Sequence, residues 1–343
     1  MKITYDRSEE DLANVVSLEH MNVTVPDQRL ATLFYIVGMG FTRDPYLVTG
    51  VSNMWVNIGK SQFHLPIGKP QVIRGRTGLV VPDLKALSES LKSVRKDLKG
   101  TKFNFRSGQG FIDVTCPWGN KFRCHKPGAK FGATMLGMPY VMFDVPSGTV
   151  KGIAAFYRNV METQAKVKPF EKAPAAHVLV GQGQTLIFRE KKGKLPKYDG
   201  HHLALYVANF SRPHAKIAEQ GLISQESNQH QYRFVDLFDP ESGKNIYKIE
   251  HEIRSMTHPL FGRPMINRNP TQTNNSFAAG YDDRPFTLPI SAYRLRLDQR
   301  SARQSHNGPK HHCTRSDGIS AAYCGAVLPR PSARSPAQAD QAA

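Results

Sequence analysis

Apolar and polar residues alternate in two ways along the chain, and each spacing predicts one kind of element. In the first segment the run SLEHMNVTV alternates as a strand does, and it ends at Pro26 and Asp27. The apolar residues that follow share one face of a helix: Leu30, Leu33, Phe34 and Val37. The glycines of GMG end this helix, and short alternating runs after them predict three more strands. The spacing of apolar residues in this segment therefore predicts a βαβββ module.

The same pattern recurs three more times. A second module begins near GLVVPD, where Asp83 can cap a helix, a third begins at MPYVMFDVPSG and a fourth at GHHLALYVANF. Together the four modules cover residues 15–253 and predict an α+β fold.

Two adjacent histidines open the first strand of the fourth module. Neighbours in a strand point to opposite faces, so only one of the two imidazoles can face a site on a given side of the sheet. His202 lies in this strand and Glu250 in the last strand of the same module, 250 − 202 = 48 positions later. In the first module His20 and His64 take the corresponding places, 64 − 20 = 44 positions apart. Taken separately, each of these residues is more often structural than a metal ligand, but their recurrence at matched positions indicates a shared metal site.

The stretches LEHMNVTVPDQRLATLFYIVGMGF, GHHLALYV and DPESGKNIYKIEHE together resemble the vicinal oxygen chelate superfamily, the fold of glyoxalases, bleomycin-resistance proteins and extradiol dioxygenases. The resemblance implies that pairs of βαβββ modules close into half-open barrels whose first and last strands supply metal ligands. The ligands it implies here are His20, His64, His202 and Glu250. It also implies a divalent metal, with Fe(II) or Mn(II) favoured and Zn(II) or Ni(II) as alternatives.

The resemblance also bears on which modules pair. The second module carries Gly75–Gly78 and Arg123 at the ligand positions, and the third carries Tyr140 and Phe188. If neighbouring modules paired, each barrel would hold only two ligands. We therefore expect module 1 to pair with module 4, as in some four-module relatives, and module 2 with module 3.

We expect modules 1 and 2 to occupy residues 1–130 and modules 3 and 4 residues 131–260, followed by an extended segment at 261–292. Residues 293–343, rich in Ser, Arg, Pro, Ala and Gln, predict a disordered basic tail.

Composition and charge indicate which partners and which cellular compartment to expect. The 343 residues carry 46 Lys and Arg against 28 Asp and Glu, a net charge of +18. Basic runs such as REKKGKLPK fall in loops without stacking aromatics, so a nucleic-acid partner is not expected. We found neither a signal peptide nor a membrane span, and the four cysteines lack metal or disulfide spacing, which together predict a cytoplasmic protein.

The favoured hypothesis is a metal-dependent enzyme acting on a small organic molecule through paired oxygens. Within it a ring-cleaving dioxygenase of the extradiol or hydroquinone type comes first, because two histidines and a carboxylate leave open metal positions. A glyoxalase-type lyase or isomerase is the alternative, favoured if His64 is a fourth ligand. The third hypothesis is a non-enzymatic protein that binds a small molecule.

Several further residues near these strands have predicted roles. His230 and Tyr232, in the strand before that of Glu250, are the candidate acid/base residues. Glu19 and His251 flank the predicted ligands, and strand alternation places them on the opposite face.

Overall fold

A computed structural model describes residues 7–47 and 50–268. The predicted disordered tail at 293–343 lies outside these residues, as does most of the segment at 261–292. Among the described residues, no helix is long and apolar enough to cross a membrane.

Each of the four modules has one helical segment and four strands. Module 1 consists of β1 Val15–Asn22, α1 Gln28–Ala31 with a π-helical continuation Thr32–Gly38, β2 Thr42–Arg43, β3 Asn53–Ile58 and β4 Ser61–Pro66. Module 2 consists of β5 Gly75–Val80, α2 Leu84–Ser93, β6 Asn104–Gly108, β7 Phe111–Thr115 and β8 Lys121–His125. Module 3 consists of β9 Gly137–Pro146, α3 Val150–Asn159, β10 Ala165–Val167, β11 Ala175–Gly181 and β12 Gln184–Lys191. Module 4 consists of β13 His202–Val207, α4 Ser211–Ala218, β14 Ile223–Asn228, β15 Gln231–Phe238 and β16 Asn245–Ser255. Short 3-10 turns occur at Arg7–Glu10 and Ala129–Phe131.

The strands form two eight-stranded sheets. The first sheet has the order β14-β15-β16-β13-β1-β4-β3-β2, and the second has the order β10-β11-β12-β9-β5-β8-β7-β6. Modules 1 and 4 therefore build the first sheet, where β1 and β13 pair antiparallel at the centre. Modules 2 and 3 build the second sheet around the antiparallel pair β5 and β9. The predicted α+β fold of four βαβββ modules is confirmed, whereas the division into domains at residues 130 and 260 stays a prediction.

Helices α1 and α2 begin where the sequence predicts. The side chain of Asp27 accepts a hydrogen bond from the backbone N–H of Leu30, and Asp83 accepts from Lys85 and Ala86. Each cap satisfies backbone donors that have no partner within the helix.

Packing between the sheets involves α3, which contacts β10, β11 and β12 of the second sheet and β15 and β16 of the first. Its Phe156 and Tyr157 are fully buried. The hydroxyl of Tyr157 lies 2.6 Å from Nε2 of His251, whose ring stacks on Phe234. This contact places His251 in the core between the sheets, on the face where strand alternation predicts it.

The chain continues beyond β16 as a segment that we call the strap, residues 256–268, which returns to the edge of the first sheet. The side chain of Asn267 bonds both backbone polar groups of Gly59, at 3.0 and 2.9 Å. Asn57 donates to the carbonyl of Ile266, and Arg263 pairs with the fully buried carboxylate of Asp44 at 2.8 Å. The strap thereby links the end of module 4 to β3 in module 1.

Candidate metal site

Three of the predicted ligands meet on one face of the first sheet, which we call the histidine face. One ring nitrogen each of His20, His64 and His202 lies within 4.8 Å of the others. The Nε2 atoms of all three rings are buried and have no hydrogen-bond partner among the described residues. Three buried polar atoms without hydrogen-bond partners are costly, and a shared cation would satisfy all of them. The donor set therefore fits a divalent metal.

A β-bulge in β1 positions the ring of His20. Leu18 pairs with Leu205 and His20 with Ala204, so β1 has one extra residue at Glu19. The bulge brings Glu19 to the same side as His20, where its Oε2 lies 3.0 Å from Nδ1 of that ring. Glu19 thus differs from its predicted place on the opposite face, because strand alternation does not survive an inserted residue. A carboxylate at Nδ1 fixes the ring with Nε2 free for a metal.

Glu19 is itself held as a charged group. Burial would raise the pKa of this carboxyl, but the hydrogen bond and charge of His20 and the charge of Arg254 outweigh burial and lower it. The hydroxyl of Tyr206 lies 3.1 Å from Glu19 Oε1, and Arg254 forms a short ion pair with Oε2. The residue that orients His20 is therefore an anion with several partners.

The other two imidazoles are uncharged at neutral pH. Burial, together with the charges of His20 and His202, lowers the pKa of His64 to about 2. Burial lowers the pKa of His202 to about 4. The indole of Trp55 stacks on the ring of His64, with centroids 3.8 Å apart and planes 11° apart. Neutral, sterically fixed imidazoles are the form in which histidine binds metals.

Two carboxylates lie on either side of His202. Glu250, the predicted ligand, has Oε2 3.5 Å from Nδ1 of His202, whereas Oε2 of Glu252 lies 3.5 Å from Nε2. Nε2 is the nitrogen without a hydrogen-bond partner among the described residues in all three rings, and Glu252 is the carboxylate that lies beside this nitrogen of His202. Its side chain is 3% exposed, against 21% for Glu250.

The strand register explains why counting along the chain points to Glu250. His20 lies opposite Gln62 across β1 and β4, and His202 lies opposite Glu250 across β13 and β16. His64, two residues beyond Gln62, therefore corresponds to Glu252. The separations along the chain, 44 residues from His20 to His64 and 48 residues from His202 to Glu250, are similar. However, His64 and Glu250 do not occupy equivalent positions in the strand register.

Glu252 is also ion-paired. Its carboxylate contacts Arg233, and Oε1 lies 2.5 Å from Nη2 of Arg254. Burial would raise the pKa of Glu252, but His202, His20 and the two arginines together lower it well below its usual range. Burial raises the pKa of Glu250.

The structure does not bring the candidate acid/base residues to the histidines. His230 precedes β15, where its Nδ1 lies 3.1 Å from the hydroxyl of Thr257. Tyr232 pairs in register with Ile253 and packs against Phe210 and His214, so it faces α4. Its burial next to Phe234 in an alternating strand is the signal that marks it as a core residue.

The second histidine of the GHH stretch has a structural role. His201 is fully buried, its Nδ1 lies 2.6 Å from Asp199, and its ring stacks on Phe143 of the second sheet. The doubled histidine thus places one ring between the sheets and the other on the histidine face.

The strap reaches the histidine face through Gln62. Nη2 of Arg263 donates to Oε1 of Gln62 at 2.8 Å, and the amide of Gln62 donates to Asp44 and Asn57. Gln62 is fully buried beside His20 in the register, so the strap covers this part of the face.

The fold can be compared with solved structures. Glyoxalase I from Zea mays matches with a TM-score of 0.50 and 14% sequence identity, over 71% of this chain and 93% of that chain. A dioxygenase candidate from Bacillus subtilis matches with a TM-score of 0.47 and 13% identity, over 83% and 96% of the two chains. The Mn(II)-bound glyoxalase from Novosphingobium aromaticivorans matches with a TM-score of 0.28 and 13% identity, over 72% and 84%. No protein-family profile and no curated protein matches the sequence.

The match to glyoxalase I shows that the chain has the vicinal oxygen chelate fold, which confirms the resemblance at the level of the fold. At this sequence identity the match does not assign a reaction.

Proposed function

We propose that the histidine face binds one divalent first-row metal and that the protein is a metal-dependent enzyme acting on a small molecule with vicinal oxygens. The observation that carries the proposal is the convergence of three histidines, each with one ring nitrogen within 4.8 Å of the others and each with a buried Nε2 that has no hydrogen-bond partner among the described residues. Imidazole nitrogen suits Fe(II), Ni(II) and Zn(II), and an added carboxylate also suits Mn(II).

We assign the ligands to His20, His64, His202 and Glu252. Glu252 replaces Glu250 in this proposal because it lies on the Nε2 side of His202. Glu19 serves as the carboxylate that orients His20, an arrangement common around metal-binding histidines.

Four protein donors favour the hypothesis of a lyase or isomerase over that of a dioxygenase. A six-coordinate metal with four protein ligands retains two positions, which two substrate oxygens would fill. When bound, the metal supplies Lewis acidity that weakens a C–H bond next to a chelated oxygen.

The residues around the ligands fit a proton transfer. Glu250 lies beside His202 with its side chain partly exposed, where it can accept a proton from a substrate. Arg233 lies 3.5 Å from Glu250 and can stabilise its charge. The indole of Trp55 stacks on His64, and Arg263 of the strap contacts Gln62, which lies beside His20 in the strand register.

A ring-cleaving dioxygenase is the second candidate, and the ion pairs of Glu252 with Arg233 and Arg254 favour it. If Glu252 stays in its ion pairs with these arginines and does not bind the metal, the three histidines alone would hold the metal. Three positions would then remain, enough for two substrate oxygens and dioxygen.

Metal analysis of anaerobically purified protein tests the proposal. We expect about one metal per chain in the wild type, little in a variant with His20→Ala and His202→Ala, and wild-type content in His214→Ala, a surface control paired with Glu226. Hemithioacetal isomerisation assays and oxygen uptake with catechols or hydroquinones then distinguish the two reactions. Equal, trace metal in all three proteins would contradict the metal site and favour a binding protein.

A further inference from the structure

The second sheet has no metal group among its described residues, and its corresponding face is built from arginines. Arg76 on β5, Arg123 on β8 and Arg189 on β12 all contact the carboxylate of Glu171. Nη1 of Arg123 lies 3.1 Å from Oε1 of Glu171, and Nη1 of Arg189 lies 2.6 Å from Oε2. We call this surface the arginine face. One carboxylate thus occupies the meeting point of three guanidinium groups.

Glu171 neutralises the positive charge that the other carboxylates of the arginine face leave unpaired. Arg123 has its own bidentate partner in Asp113, at 2.7 and 2.8 Å, and Arg189 pairs with Asp144 at 2.6 Å. Within the described part of the chain, the carboxylate that pairs with Arg76 is Glu171. Without Glu171, three arginines would face two carboxylates, and Arg76 would be the unpaired cation.

An apolar patch lies next to the three arginines on the same face. It consists of Tyr140, Met142, Ala175 and Ile187. Cross-strand register places Met142 opposite both Arg76 and Ile187, and Ala175 opposite Arg189. The face therefore combines an apolar cluster with convergent guanidinium donors.

A short turn between β10 and β11 covers both parts. The ring of Phe170 packs on the apolar patch, 6.0 Å from the ring of Tyr140, while Glu171 reaches the arginines. Phe170 and Ala173 exchange two backbone hydrogen bonds, at 2.9 and 3.1 Å. Between them Glu171 and Lys172 take φ angles of +49° and +68°, a conformation that costs energy for residues other than glycine. The turn thus has the positive φ angles of a type I′ hairpin turn at two residues other than glycine or asparagine, a backbone cost that it bears while it fills this face.

We propose that the arginine face is a binding site for a small molecule with an aromatic or flat apolar body and one anionic group, and that the Phe170–Lys172 turn is its internal occupant. Phe170 stands in for the apolar body and Glu171 for the carboxylate or phosphate. A ligand that displaces the turn gains the three guanidinium groups and releases the backbone strain. Guanidinium forks bind both carboxylates and phosphates, so both groups belong to the ligand class.

The test is calorimetric titration of the full chain with benzoate and with phenyl phosphate, using benzyl alcohol as the uncharged probe. Glu171→Gln removes the competing charge, so we expect at least one of the two anions to bind about tenfold or more tightly than to the wild type. The matched control is Glu89→Gln, an exposed helix carboxylate whose ion-pair partner is Lys92. The anion that binds more tightly identifies the preferred group.

The double variant Glu171→Gln with Arg76→Gln should lose this gain, because Arg76 has no other carboxylate partner on the face. Equal anion affinity in wild type and Glu171→Gln would overturn the proposal, as would an equal gain for benzyl alcohol or a gain that survives Arg76→Gln.

A second measurement needs no variant. In the wild type, saturating benzoate or phenyl phosphate should speed amide hydrogen exchange at Phe170 and Ala173, whose N–H groups close the turn. Unchanged exchange with both anions would show that the turn is not displaced and would refute the proposal even if Glu171→Gln does not fold.

Discussion

The two carboxylates beside His202 offer a direct test of the metal site. Glu252→Gln and Glu250→Gln are isosteric changes of residues two positions apart on one strand, and each removes one charge. If His20, His64, His202 and Glu252 hold the metal, Glu252→Gln removes one donor of four. Glu250→Gln should leave metal affinity within a few-fold of wild type while lowering turnover.

The expected size of the effect follows from the donor count. Structural zinc sites with four protein donors bind the ion with an apparent free energy of roughly 10–16 kcal/mol. An equal share is about 2.5–4 kcal/mol per donor, so Glu252→Gln should weaken metal binding by about 10²- to 10³-fold. The same change removes one of the two anionic partners of Arg254, which keeps Glu19, and leaves Arg233 with the partly exposed Glu250. The loss of these buried charge-assisted contacts should lower the free energy of unfolding by about 1–3 kcal/mol.

Equilibrium dialysis against buffered Zn(II) measures the metal affinity, and urea denaturation of the metal-free proteins measures the stability separately. If Glu250→Gln weakens metal binding more than Glu252→Gln does, the argument from the Nε2 side of His202 is refuted. The ligand would then be Glu250, as the chain-order comparison predicts.

Three further changes test other parts of the structure. His64→Ala should weaken metal binding about as much as loss of any other donor, and full metal content with slowed turnover would instead favour the dioxygenase candidate. Glu19→Gln should weaken metal affinity by about 10- to 100-fold, measured by the same dialysis, and an unchanged affinity would show that its hydrogen bond does not orient a ligand. Gly78→Ala places a Cβ 2.1 Å from the ring of Tyr140 and should lower the free energy of unfolding in urea by about 1–3 kcal/mol, whereas Gly128→Ala, with open space around it, should not.

The module architecture could be predicted because every module repeats the same change from alternating to helical spacing. Caps such as Asp27 and Asp83 depend on the local sequence and were predictable for the same reason. The positions of His20, His64 and His202 also followed, since each lies at a defined place in a repeated strand.

The register between the strands and the β-bulge could not be predicted from the sequence. The bulge at Glu19 leaves no trace in the alternation of apolar residues, yet it decides which face the carboxylate takes. The parallel register between β13 and β16 decides between Glu250 and Glu252, and it depends on hydrogen bonds between strands about 50 residues apart. The strap has no periodicity, so neither Arg263 nor its contact with Gln62 could be inferred.

The order of modules along the chain also determines when the histidine face can form during synthesis. The second sheet comes from one continuous stretch, residues 75–191, inserted between the two halves of the first sheet. His20 is made 202 − 20 = 182 residues before His202. At ~5–20 residues per second, the ribosome needs about 9–36 s to cover this interval. Strand β1 must wait through this time without its central partner β13, while the whole second sheet can already assemble beside it. The sheet that carries the histidine face is thus completed after the second sheet, and the proposed metal site cannot form before His202 and Glu252 have been made.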